Sequence, residues 1–347
     1  MVYEKLRPGN ALELQLEQRG IEASLPFGPA SCLLRQKPLS EDAFIELAAG
    51  FPAVLGVSGA KLTRRVLESL PHLRFISKIG IGYDVIDLDA ATELGILVTN
   101  TPSQVEIDCV AEHAIALMLA AAKRLNIYST PRLASGRWLD SSISSVALRD
   151  RTIGLVGFGR IARAVAIRLQ GWGVRLLACD LRDLSDEPAL GATMVSLEHL
   201  LTESDFVSLH VSTATGSRPV LTESNIRLMK STAVLVNTAR GASVDQSALA
   251  DALSSGGLFA AGLDVFDPEP PVPGERLLTL PNVIATPHLG ASPPEAEADM
   301  EAMSAENLDI LFSGAQPEAL LNPHARQKAP ARQIVRERPL PGPGRSR

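Results

Sequence analysis

The chain has 347 residues, 46% of them hydrophobic, with 33 Lys and Arg against 39 Asp and Glu for a formal net charge of −6. That length is enough for two domains with sizeable cores, and the acidic balance argues against a nucleic-acid partner for the body. No apolar run reaches membrane-spanning length, and the start, Met1-Val2-Tyr3-Glu4-Lys5, lacks a signal-peptide apolar segment. Cys32, Cys109 and Cys179 are scattered and form no Cys-x-x-Cys pair. They read as small buried residues, so the expectation is a cytoplasmic protein with no membrane partner and no metal.

In chain order, residues 1 to about 28 hold a helical pattern through Ala11–Leu16 positions but no clear first strand. Residues 31–34 read as a short strand and 40–47 as a helix, with Ser40 as N-cap and Glu41 and Asp42 in its first turn. Residues 53–57 are a strand, 63–70 a helix and 73–78 a strand. This alternation points to a parallel sheet with helices on its faces. Ile79-Gly80-Ile81-Gly82 is a glycine turn, but Asp84 and Asp87 interrupt any helix that would follow at once. It reads as an exposed turn at a strand's carboxyl end, where open α/β sheets bind ligands. A strand at 95–100 is closed by Thr101-Pro102. The helix predicted over 105–125 is apolar on more than one face, so it is expected to be buried between domains or against another subunit. A mixed arm carrying Trp138 covers 126–150.

Arg151-Thr152-Ile153-Gly154-Leu155-Val156-Gly157-Phe158-Gly159-Arg160-Ile161-Ala162 then runs from a buried strand through a Gly-x-Gly turn into a helix. A dinucleotide pyrophosphate needs that order: Gly157 for the tight turn, Gly159 for close backbone approach, and a small third residue for helix–strand packing. The helix leads to a second strand over 174–179, ending in Asp180, which follows Ala162 by 18 residues. An acid near that spacing accepts hydrogen bonds from the adenosine ribose and repels a 2′-phosphate, which favours NAD over NADP. Arg182, close by, leaves that preference open.

The alternation resumes with strands at 206–210, 233–236, 260–264 and 283–286 and helices at 222–229 and 243–254. A final helix starts at Ser292-Pro293-Pro294-Glu295, a capping-box pair with Pro in the first turn, and runs to about 312. Residues 324–347 carry seven basic residues against Glu337, with four prolines, and read as a disordered basic tail.

Three strand ends carry charge where hydride transfer to a carbonyl would need it. Asn237-Thr238-Ala239-Arg240-Gly241 offers a guanidinium that can pair bidentately with a carboxylate. The stretch 264–270 contains Asp264 and Glu269, and Thr286-Pro287-His288-Leu289-Gly290 contains a histidine. His288 could supply the proton that a reduced ketone oxygen takes, with Glu269 orienting the ring. His210, ending a strand near the presumed cofactor edge, is its rival.

These motifs, in this order, resemble the NAD-dependent D-isomer-specific 2-hydroxyacid dehydrogenases; residues 78–87 and 100–113 resemble that family too, so the likeness covers about 40–323. The resemblance implies an α/β protein of two Rossmann-like, doubly wound parallel-sheet domains with an interdomain active-site cleft. It implies a discontinuous substrate-binding, flavodoxin-like domain (1–100 and 288–323) around an NAD-binding domain (101–287). It further implies Arg240, Glu269 and His288 as catalytic residues, with Ile81, Gly82 and Arg240 holding the substrate carboxylate. For the cofactor it implies Gly157, Gly159, Arg160, Ile161, Asp180, Thr238, Asp264, His288 and Gly290, with Asp264 near the nicotinamide carboxamide. The implied reaction joins NAD(H) to a small 2-oxo or D-2-hydroxy acid, in a homodimer formed through the long helix and the 126–150 arm. Ser212 departs from a common Pro. Val57 stands where phosphoglycerate-oxidising members carry Arg, and no regulatory domain follows residue 323, both of which count against phosphoglycerate. Glu269 in place of an amide counts against formate. Two alternatives are a dinucleotide-sensing, corepressor-like binding protein and a dehydrogenase of a phosphite- or phosphonate-type anion.

Overall fold

The computed structural model describes residues 12–23, 39–57, 60–138, 140, 143–212 and 218–328. The strand expected at 31–34 lies outside them, as does the chain after 328. The described residues fall into two compact units, one holding 12–23, 39–101 and 301–328, the other 102–300. The second change of unit therefore falls at 300/301, later than the expected 287/288. This keeps His288 in the same unit as Arg240 and Glu269. No helix among the described residues is long and apolar enough to cross a membrane.

The first unit is built on a three-stranded parallel sheet in the order β1 (Ala53–Gly56), β2 (Phe75–Lys78), β3 (Leu97–Thr99). All three strands are buried along their length, as strands covered on both faces are. Helices Glu41–Ala48, Arg64–Glu68 and Leu88–Glu93 supply the cover, and Phe44, Val54, Leu62, Val66, Ile76 and Val98 form part of one core. Ser40 caps the first helix, its hydroxyl accepting from the Ala43 N–H at 3.3 Å. Helix Leu88–Glu93 went unanticipated because Asp87 reads as a breaker. Its carboxylate instead accepts from the Ala90 N–H at 2.9 Å and starts the helix. The far end of the chain returns here: the Leu321 N–H donates to the Val98 carbonyl, and Asn322 bonds Val98, Ile96 and Thr92. A short helix, Ala325–Lys328, follows, so order continues past residue 324, where the tail was expected to begin.

The second unit holds a seven-stranded parallel sheet: β4 (Thr152–Val156), β5 (Arg175–Cys179), β6 (Ala192–Met194), β7 (Phe206–Leu209), β8 (Val234–Asn237), β9 (Ala260–Leu263) and β10 (Val283–Ala285). Its spatial order is β10-β9-β8-β7-β4-β5-β6. The chain runs outward from β4 to β6, then crosses to β7 and runs outward the other way. The order reverses between β4 and β7, and ligands of open α/β sheets bind beyond the carboxyl ends of the strands at such a reversal. Strand β6 and helix Leu197–Glu203 were not anticipated; the helix is capped by Ser196, whose hydroxyl accepts from the His199 N–H. The helix predicted over 243–254 starts later, at Gln246. A 3-10 turn at Gly241–Ser243 precedes it, and Asp245 is the cap, accepting from the Ala248 N–H at 3.0 Å.

Helix Gln104–Ala122 carries Ile107, Val110, Ala114, Leu117, Met118 and Ala121 buried. It packs against β8, β9, β10 and helix Arg160–Arg168, so neighbours within its own unit cover its apolar faces. Contact is close at Gly262, where a Cβ would come 2.9 Å from Leu117 Cβ.

Candidate active site

The dinucleotide loop leaves β4 at Gly157, in the left-handed region at φ +84°. A Cβ there would sit 2.7 Å from the His210 carbonyl oxygen, so only glycine fits. Gly159 is the N-cap of helix Arg160–Arg168 and offers no side-chain cap to the first helical N–H groups. A Cβ at Gly159 would meet nothing within 4 Å. Open space in front of uncapped N–H donors, those of Arg160 and Ile161 among them, is what a pyrophosphate requires. Ala162 is fully buried against the sheet, as the third small residue should be.

Asp180 stands just past β5. Its Oδ2 accepts from the Phe158 N–H at 2.9 Å, which ties it to the glycine turn, and both carboxylate oxygens accept from Arg182. Burial alone would push this carboxyl up, but the Arg182 and Phe158 donors outweigh it and hold Asp180 below the usual range. At the end of β8, the Thr238 hydroxyl is buried with no partner among the described residues. An orphaned buried hydroxyl and an open cradle on the same sheet edge fit a bound dinucleotide.

Three neighbouring strands end together. Asn237 of β8 is paired with Leu263 of β9, and Leu263 with Ala285 of β10, so the segments that follow all emerge on one edge of the sheet. After β8, the Asn237 side chain folds its own turn. Its oxygen accepts from the Ala239 N–H at 3.0 Å and its amide donates to the Arg240 carbonyl at 2.9 Å. Half-buried Arg240 follows in extended conformation, with Nη1 donating to the Ala239 carbonyl at 2.7 Å. Gly241 lies so near the backbone of Phe266 and Asp267 that a Cβ would overlap it, which seats the Arg240 turn against the segment after β9.

That segment carries Glu269. Its Oε1 accepts from the Phe266 N–H at 2.9 Å, and its Oε2 lies 2.8 Å from His288 Nδ1. A carboxylate oxygen accepts, so Nδ1 carries the proton and donates, which leaves Nε2 as the outward nitrogen. The His288 side chain is 47% exposed and that of Glu269 36%. His288 itself adopts φ +54°, and its N–H donates to the Asp264 carbonyl at 2.8 Å.

Asp264 holds the turn in place. It is 2% exposed, and its carboxylate accepts from the Leu289 and Gly290 N–H groups at 2.8 and 3.0 Å and from the Thr286 hydroxyl at 2.6 Å. Thr286 spends its one proton on Asp264, so its oxygen accepts from His113 Nε2 at 2.9 Å. His113 thus presents an N–H that also faces Asp264, 3.2 Å away. Burial raises the Asp264 pKa, but these four donors together bring it below the ordinary value. Sequence reasoning gave Asp264 and Gly290 to the cofactor; in the structure the two bond each other across this turn. His113 was missed because its helical pattern reads as structural.

His210 follows β7, beside Gly157, and both its ring nitrogens are buried without a partner among the described residues. Burial lowers its pKa to about 4, so it stays neutral near pH 7 and lacks the proton a general acid needs. In the first unit, the turn after β2 has Gly80 at φ +97°, its N–H donating to the Thr101 hydroxyl at 2.7 Å. The Asn100 amide donates to the Ile81 carbonyl at 2.8 Å, and buried Lys78 donates to the Ile79 carbonyl. Ile81 and Gly82 are both partly exposed.

Residues 115–290 match the model for the D-isomer specific 2-hydroxyacid dehydrogenase, NAD binding domain. A glyoxylate reductase of Thermococcus litoralis is 35% identical over 94% of this chain and 100% of its own length. One from Korarchaeum cryptofilum is 39% identical over 91% of this chain and 96% of its own. A solved NADPH-dependent glyoxylate/hydroxypyruvate reductase from Sinorhizobium meliloti, in complex with NADP and malonate, superposes with a TM-score of 0.70 at 32% identity, covering 79% of this chain and 84% of that one. With a nicotinamide dinucleotide cradle on a sheet of this order, the chain belongs to the D-isomer-specific 2-hydroxyacid dehydrogenase family and is an oxidoreductase that uses such a cofactor.

Proposed function

We propose that the chain interconverts small 2-oxo acids and D-2-hydroxy acids with NAD(H), with glyoxylate and hydroxypyruvate as the substrate class to test first. The observation that carries this reading is the His288–Glu269 pair, 2.8 Å apart, on the same sheet edge as Arg240. When bound, the nicotinamide supplies or accepts the hydride at the substrate's C2. Arg240 pairs with the substrate carboxylate and draws charge from the carbonyl oxygen. Protonated His288 gives its Nε2 proton to that oxygen as C2 becomes tetrahedral, and takes it back in the oxidative direction. Glu269 accepts from Nδ1 throughout, so the ring keeps one tautomer and one orientation. The 102–300 unit is assigned the dinucleotide and these residues. A homodimer is part of the proposal, supported by exposed Leu125, Leu133 and Trp138 around the 126–150 arm.

Purified protein given a panel of 2-oxo acids should oxidise NADH, followed by absorbance of the reduced cofactor. Silence across the panel with retained NADH binding would favour a dinucleotide-sensing protein instead. His288→Ala and Arg240→Ala should each lower turnover by about 10²–10⁴-fold while NADH still binds by fluorescence titration. Equal loss of cofactor binding would contradict the assigned roles.

A further inference from the structure

Asp180 has no acceptor capacity to spare. Oδ1 takes the Arg182 N–H at 2.9 Å and Arg182 Nε at 3.1 Å; Oδ2 takes the Phe158 N–H at 2.9 Å and Arg182 Nη2 at 3.2 Å. Two donors per oxygen fill a carboxylate. The two backbone donors are set by the fold, whereas the two guanidinium donors come from a long side chain that is 60% exposed. An exposed ion pair of this kind adds little net stability, so those two donors are the exchangeable ones.

The pairing changes what this strand end offers to a dinucleotide. A lone carboxylate accepts ribose hydroxyls and repels a 2′-phosphate. Here a positive fork lies across that carboxylate and offsets its charge. Other charged groups nearby are already engaged: Arg163 is held by Glu187 and the Pro188 and Phe158 carbonyls, and Asp183 by the Ser185 N–H. Among the described residues the Arg182 guanidinium is bonded to Asp180 alone, so it can turn outward without breaking a contact to a second group.

We propose that Arg182 is a two-position selector that lets this chain bind both NAD(H) and NADP(H). For NAD(H), the ribose hydroxyls displace the guanidinium and take its two places on Asp180. For NADP(H), Arg182 keeps Nε on Asp180 and turns its Nη groups to the 2′-phosphate, so the guanidinium charge stands between the two anions. The inference rests on the dinucleotide site proposed above.

The test is direct titration of NADH and NADPH by nicotinamide fluorescence, with no substrate present, on the full chain, Arg182→Ala and Asp180→Ala. Wild type should bind both. Arg182→Ala should lose about tenfold or more in NADPH affinity, the worth of a charge-assisted contact, while NADH affinity holds or tightens because Asp180 is uncovered. Asp180→Ala should weaken NADH and spare NADPH. Saturable NADH binding with none for NADPH would overturn the selector alone, as would an Arg182→Ala protein whose NADPH affinity is unchanged or whose affinity for both falls alike. Failure of wild type to bind either dinucleotide would overturn the cofactor site and the selector together.

Discussion

His288 and His210 stand at the carboxyl edge of one parallel sheet in opposite surroundings, one bonded to a carboxylate and the other buried without a partner among the described residues. His288 is half exposed, and its Nδ1 is held by the Glu269 carboxylate at 2.8 Å, which leaves Nε2 outward. His210 has no partner for either nitrogen, and burial brings it down to about 4. Its folded value lies below the roughly 6.5 of an unfolded histidine, so unfolding takes up a proton in that window. The stability tied to a neutral His210 is complete above about pH 6.5 and is lost as pH falls toward 4. His210→Gln, which cannot titrate, should flatten the urea midpoint between those pH values relative to wild type; an unchanged pH slope would refute the burial argument. Both histidines are visible in the sequence as strand-end residues. Which of them finds a hydrogen-bond partner depends on distant neighbours, and a strand pattern does not specify those.

At the level of elements, the candidate site is a property of three strand ends in register. The strands β8, β9 and β10 are legible because each is a short apolar run followed at once by polar and turn residues. Strand β6 and helix Leu197–Glu203 are not, since three and seven residues are too few for a period to stand out. What couples the site elements is packing. Gly241 admits the Phe266–Asp267 backbone, so Gly241→Ala should cost about 2 kcal/mol or more in urea unfolding and lower turnover by separating Arg240 from Glu269. Asp264 couples β9 to the His288 turn through three bonded partners in residues 286–290. Asp264→Asn should lower kcat by about 10–100-fold with a smaller change in NADH affinity, because the turn loses its anchor while the glycine cradle is untouched. Comparable losses in both would instead make Asp264 a direct cofactor contact.

On the scale of the whole molecule, the chain closes its first unit with its last described residues. Asn322 accepts from the Val98 N–H at 2.9 Å and donates to the Ile96 carbonyl at 2.9 Å and the Thr92 hydroxyl at 3.1 Å. Removing that amide leaves buried β3 backbone groups unsatisfied, so Asn322→Ala should cost about 3 kcal/mol, read as a lower urea midpoint, although it touches no candidate site residue.

Local pattern by itself determined the parallel α/β character, the Gly157–Gly159 loop and Asp180 after β5, and it singled out Arg240, Glu269 and His288 as candidates near strand ends, because each rests on short-range rules of period, turn chemistry and spacing; their roles came only with the family resemblance. Tertiary structure alone decided that Glu269 meets His288 across 19 positions of chain, that His113 joins Asp264 and Thr286, that helix Gln104–Ala122 is covered by its own sheet, and that Arg182 folds back on Asp180. Those are contacts between residues far apart in sequence, or between rotamers, and they form only once parallel pairing has brought the carboxyl ends of the strands together.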